Sequence, residues 1–132
     1  MEYLLDTNAL LSIIFNNKGL NAEIEKVLNN RNNRFFVSEM SLWEIEIKHN
    51  KHPDLMPFSA LQIFELLADT NLSFLPVHIF HLAKLKDVYD QKIHNDPFDL
   101  LIIATALEES MILITSDKTI LKYPIISKLE LW

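Results

Sequence analysis

Short, nearly all-apolar runs alternate along the chain with longer stretches whose apolar residues recur at helical spacing. The runs Glu2–Asp6, Arg34–Val37, Ser73–Val77 and Met111–Thr115 read as strands, and the tail from Ile125 to Trp132 as a last short one. Helices are predicted over Thr7–Asn16, Leu20–Asn30, Glu39–His49, Ser59–Ala68, His78–Tyr89 and Pro97–Glu109. The second helix has Ile24, Val27 and Leu28 as its apolar stripe; the fourth has Leu61, Phe64, Leu67 and Ala68. Lys51–Pro57 and Gln91–Asn95 read as loops. Strands alternating with helices imply an α/β fold with parallel pairing and helices on both faces. The absence of polar alternation in the strands agrees, since both faces of such a sheet are covered.

Against this frame, four acids stand out. Asp6 ends the first strand, Glu44 lies on the helix after the second, Asp99 opens the helix Leu100 to Leu107, and Asp117 follows the strand ending in Thr115. In an open parallel sheet, groups just past the carboxyl ends of strands gather along one edge, where ligands bind. Carboxylates gathered there need cations, and hard divalent ions such as Mg²⁺ suit oxygen ligands. The combination points to metal-dependent cleavage of a phosphate ester.

Each acid also has a plain structural reading. Asp6 can cap the following helix. Ser41 and Glu44 have capping-box spacing, and Glu44 can pair with Lys48 at i, i+4. Asp96-Pro97-Phe98-Asp99 has the make-up of a helix start: an N-cap, a proline at the first position and an acid at the third. Asp117 suits a turn. Capping and ligation are compatible, because a helix N-terminus keeps a carboxylate anionic.

Composition narrows the classes. The 132 residues fit one domain, 1–132, able to bury roughly two thirds of its unfolded surface. No apolar stretch approaches the ~20 residues needed to span a bilayer, and the N-terminus lacks the pattern of a signal peptide. Zero cysteines exclude disulfides and thiol chemistry and fit the cytoplasm. With one glycine there is no P-loop, dinucleotide fingerprint or nucleophile elbow. A net charge of −6 argues against non-specific wrapping of nucleic acid, but a bound divalent ion would reverse the sign locally. Lys48, His49, Lys51 and His52, with Lys118 and Lys122, are candidate basic positions. The His49/His52 and His78/His81 pairs have a spacing zinc can use, without an evident third ligand. Trp43, Phe64 and Phe74 are expected to pack a core or dimer face.

The segments around the acids resemble a known family. Leu4-Leu5-Asp6-Thr7-Asn8-Ala9-Leu10-Leu11, Ser38 to Lys48, Asp96-Pro97-Phe98-Asp99-Leu100 to Ala106, and Leu113-Ile114-Thr115-Ser116-Asp117 look like the four ordered motifs of PIN-domain proteins, above all VapC-type toxins of bacterial toxin–antitoxin pairs. The resemblance implies a three-layer α/β/α sandwich with a mainly parallel central sheet. It also implies a Mg²⁺- or Mn²⁺-dependent ribonuclease in which Asp6, Glu44, Asp99 and Asp117 form the catalytic constellation. Asp6 and Asp99 are the expected direct metal ligands. Thr115, Asn8, Ser41, Asp96 and His94 are candidates for positioning water or substrate. An RNA substrate, a homodimer and an antitoxin partner are expected. Leu100 departs from the arginine often found at that place, which removes one candidate phosphate contact.

On this reading an ion on Asp6 and Asp99 binds the scissile phosphate and activates a water, while Glu44 or Asp117 orients that water or takes its proton. Two other readings use the same residues. One is a metal-dependent nuclease or phosphatase outside any toxin role; the other is a non-catalytic interaction module whose acids are caps or bind a basic peptide.

Overall fold

The computed structural model describes residues 1–15 and 19–132. In chain order it runs β1 (Glu2–Leu5), α1 (Thr7–Phe15), α2 (Ala22–Asn29), β2 (Arg34–Ser38), α3 (Glu39–Lys51), α4 (Ala60–Leu67), β3 (Leu72–Leu75), α5 (Ile79–Asp90), α6 (Pro97–Glu109), β4 (Ile112–Thr115) and β5 (Lys128–Glu130). A short 3₁₀ turn, Ile120–Lys122, precedes β5. The strands form one parallel sheet in the order β3-β2-β1-β4-β5.

Side chains alternate across a strand with a period of two, and here both faces are apolar. Tyr3 and Leu5 of β1, Phe35 and Val37 of β2, and Ile112 and Ile114 of β4 face one layer. That layer is filled by Ala9 and Leu10 of α1, Ile24 of α2, Ile45 of α3, and Ile63 and Leu67 of α4. Leu4, Phe36 and Leu113 face the other, with Val88 of α5, the interior of α6, Ile120 and Tyr123. The result is a three-layer α/β/α sandwich. Residues 100 to 106 of α6 are all buried, so this helix is apolar all round rather than striped. Leu100 belongs to that core and is fully buried, which accounts for an apolar side chain there.

The predicted elements are all present, with ends shifted by one to three residues. The first helix was expected to reach Asn16, which lies outside the described residues. The expected stripe of the fourth helix is corrected: Ile63 and Leu67 are buried, whereas Leu61 is 64% and Phe64 47% exposed. Phe64 instead packs against Phe74 at a tilt of 35°, their ring centroids 5.0 Å apart. Trp43 is exposed and meets the edge of Phe98, with centroids 5.3 Å apart.

Local hydrogen bonds also reassign several candidates. Ser38, not Ser41, caps α3 by accepting from the Met40 N–H at 3.1 Å. His78 and His81 form a reciprocal cap at the start of α5, and His81 Nε2 lies 2.7 Å from Glu109 Oε1. His49 Nδ1 lies 2.8 Å from the Met56 carbonyl oxygen, and His52 ends α3. Both histidine pairs are therefore occupied in holding helix ends and loops.

Candidate metal centre

The chain leaves β1 for β2 on one side and later places β4 on the other side of β1. A gap at the carboxyl edge of β1 and β4 follows from this reversal, and in parallel sheets such a switch point is where ligands bind. Asp6 immediately follows β1; Thr115 ends β4 and Asp117 lies two residues on. Asp99 sits in the first turn of α6, the helix that leads into β4.

Asp6 is the deepest of the acids, 4% exposed. Its Oδ1 accepts the Ala9 N–H at 2.7 Å, so it does cap α1. Its Oδ2 accepts the Thr115 hydroxyl, and Thr115 Oγ1 in turn accepts the Asp117 N–H at 3.0 Å. One chain of hydrogen bonds thus ties the ends of β1 and β4 together. Burial pushes the Asp6 carboxyl up to about 6; the Thr115 and Ala9 donors pull it down, and the Asp99 and Asp117 charges add to the rise.

Asp99 is held by the helix start. Asp96 caps α6 by accepting from the N–H groups of Phe98 (2.9 Å) and Asp99 (3.2 Å), with Pro97 at the first position. Asp99 Oδ2 lies 2.8 Å from His94 Nε2. Burial raises the Asp99 carboxyl above the usual range, the His94 contact opposes that, and Asp96 and Asp117 add to the rise. Asp117 accepts the Thr119 N–H at 2.7 Å through Oδ1 and so shapes the turn after β4, as a turn residue would.

A ring nitrogen of His94 and one carboxylate oxygen each from Asp99 and Asp117 lie within 4.8 Å of one another, all three residues half-buried. Asp6 is close enough to feel the charges of Asp99 and Asp117 but is not one of the trio, and both its oxygens already hold protein hydrogen bonds. Glu44 makes its ion pair with Lys48 at 3.6 Å and lies outside the tight trio. Ser41 is fully buried and accepts the Thr7 hydroxyl at 3.0 Å, which ties α1 to α3. Asn8 and Asp96 are exposed. Tyr123 is a site neighbour that the sequence did not single out. It is fully buried, with its hydroxyl near the backbone of His94.

Among the described residues, no lysine or arginine pairs with Asp6, Asp99 or Asp117. Three partly desolvated carboxyl groups without a fixed cation form a donor set suited to a hard divalent ion. The PIN domain family model matches residues 3–126. The chain belongs to the PIN-domain family. Nuclease activity, dependent on a metal ion, is typical of PIN domains.

Solved structures extend the likeness. A chain of DNA-bound VapBC from Salmonella typhimurium superposes with a TM-score of 0.75 at 19% identity, covering 100% of this PIN domain and 99% of that chain. VapBC2 from Rickettsia felis, bound to a DNA fragment from its promoter, gives 0.72 at 17%, covering 98% of each chain. VapBC-1 from nontypeable Haemophilus influenzae gives 0.71 at 20%, again with 98% of each covered. At these identities the fold is what is shared. No curated protein matches the chain by sequence. No helix among the described residues is long and apolar enough to cross a membrane.

Proposed function

We propose that this PIN domain, spanning residues 1–132, is a divalent-metal-dependent endoribonuclease and the toxin of a type II toxin–antitoxin pair, acting in the cytoplasm. The observation that carries the chemistry is the convergence of Asp6, Asp99 and Asp117 at the switch point with no lysine or arginine paired to them among the described residues. Asp99 and Asp117 would hold a Mg²⁺ or Mn²⁺ ion, with Asp6 beside them as ligand or acceptor. When bound, such an ion supplies positive charge to a phosphate and lowers the pKa of a bound water toward neutral.

The protein's own groups set the stage for in-line attack. Thr115 donates to Asp6, holding that carboxylate in place. Asp117 is oriented by the Thr119 N–H, which leaves its other oxygen for water or a proton. Glu44, half-buried and paired with Lys48, would be the fourth acid of the constellation. Asn8 and Asp96 are exposed and open to substrate or its waters, while Ser41 acts through its bond to Thr7. Phosphate contacts fall to Lys51, His52 and Lys122 first, because Lys48 is paired with Glu44, His49 with a backbone carbonyl and Lys118 with Glu130.

The toxin part rests on the similar solved structures, among them VapBC-5 from Mycobacterium tuberculosis, a member of the VapBC family of toxin–antitoxin systems, and a toxin–antitoxin complex from Klebsiella pneumoniae. An apolar groove of about 740 Å³ between α1, α2 and the end of α4, lined by Ile13, Ile14, Leu28, Leu66 and Leu72, suits an antitoxin segment. Exposed apolar residues on α5, such as Ile79 and Phe80, suit a homodimer face. The test is product chemistry. Purified protein with Mg²⁺ or Mn²⁺ should cut RNA to 5′-phosphate and 3′-hydroxyl ends, leave DNA of the same sequence intact and stop in EDTA. Equal cleavage of DNA would favour a general nuclease, and cleavage unaffected by EDTA would remove the metal from the account.

A further inference from the structure

We infer that His94 is itself a ligand of the divalent ion, so that the site takes one nitrogen with its carboxylates and prefers Mn²⁺ to Mg²⁺. This rests on the metal-dependent nuclease reading above. His94 lies in the loop between α5 and α6, two residues before the cap of α6. That cap fixes Asp99, and His94 Nε2 lies 2.8 Å from Asp99 Oδ2. A separation of about 3.0 Å is what two adjacent ligands of an octahedral ion show when each bond is about 2.1 Å. A ring nitrogen of His94 and one oxygen of Asp117 lie within the same 4.8 Å group. His94 and Asp99 therefore have the spacing of adjacent ligands, and Asp117 lies close enough to join them around one ion.

The surroundings favour this role over a surface contact. The His94 side chain is 26% and the Asp99 side chain 22% exposed, so both can be reached by an ion yet are largely fixed. Without an ion this contact is a hydrogen bond; a bound ion would displace its proton to solvent, and the neutral imidazole, keeping its proton on Nδ1, would offer the Nε2 lone pair to the metal. A nitrogen ligand is softer than carboxylate or water. It raises affinity for first-row transition ions over Mg²⁺, whereas an all-oxygen set suits both. Selectivity is thus assigned to a loop residue outside the set of site acids.

The experiment is Mn²⁺ and Mg²⁺ titration by calorimetry, with pulsed electron paramagnetic resonance of the Mn²⁺-loaded protein. Wild type, His94→Ala and His94→Gln are compared, and melting curves confirm that each is folded. Gln keeps a donor for Asp99 but offers the metal only a hard oxygen. The wild-type echo should carry nitrogen modulation from a directly bound ring, absent in both variants although four other histidines remain. The preference for Mn²⁺ over Mg²⁺ should drop by about tenfold or more in both. Loss of affinity for both ions by the same factor, with the preference intact or restored by Gln, would make His94 only an orienter of Asp99 and overturn the inference. A Mn²⁺-loaded wild type without nitrogen modulation would also overturn it. Wild type that binds neither ion would instead remove the metal-dependent reading on which the inference stands.

Discussion

Asp6 is a carboxylate kept where its charge is poorly solvated. It is 4% exposed and titrates at about 6, raised chiefly by burial. In the unfolded chain an aspartate titrates near 3.9. Between these values the folded protein binds more protons than the unfolded one. Stability from this group is therefore fully present below about pH 4 and is lost as pH rises through about 6. By pH 7.5 the loss is on the order of 3 kcal/mol for the metal-free protein. Asp6→Asn should consequently gain on wild type as pH rises: in urea unfolding with EDTA, its advantage should be larger at pH 7.5 than at pH 4. A difference independent of pH would mean that burial does not govern Asp6. The same variant should lose the proposed ribonuclease activity, a trade of stability for function. Asp6 also shows why a single acid in a sequence is ambiguous: it caps α1 through one oxygen and faces the site through the other.

Among the elements, α6 carries the most function for its length. Its start, Asp-Pro-Phe-Asp, is written in strong local signals, which makes that end of the helix legible in the sequence. The cap does more than end a helix, since Asp96 accepts the N–H of the residue that presents the site carboxylate. Asp96→Ala should lower stability by about 1 kcal/mol, with Asp96→Asn restoring most of it, as read from thermal melts. Unchanged melting in the alanine variant would show that Pro97 and packing alone hold the start. The fourth helix was less legible. Every residue from Leu61 to Leu67 except Gln62 and Glu65 is apolar, so spacing alone could not choose between the Ile63/Leu67 face and the Leu61/Phe64 face. The start of α3 at Glu39 is legible from the sequence, whereas the capping-box spacing of Ser41 and Glu44 is not used: Ser38 caps the helix and Ser41 is buried against Thr7. The His94–Asp99 contact depends on how a loop folds back on the helix it precedes, which periodicity does not encode.

On the scale of the molecule, topology makes the site. The order β3-β2-β1-β4-β5 puts the carboxyl ends of β1 and β4 side by side, bringing Asp6 and Thr115 into hydrogen-bond contact 109 positions apart in sequence. The alternation of apolar runs and helices predicted the parallel sheet, and the position of acids after the runs predicted their edge. What the pattern left open was depth: which carboxylate is buried, which is tethered, and that Glu44 pairs with Lys48 instead of joining the tight trio. The proposed activity requires that this trio bind a divalent ion and that cleavage depend on it. The direct measurement is calorimetric titration of Mn²⁺ and Mg²⁺ into wild type and Asp99→Asn, followed by an RNA cleavage assay on the same samples. We predict saturable binding and metal-dependent cleavage by wild type, with both lost in a folded Asp99→Asn protein. Cleavage by Asp99→Asn at the wild-type rate, or wild type that binds neither ion, would contradict it and leave these acids as helix caps and turn residues.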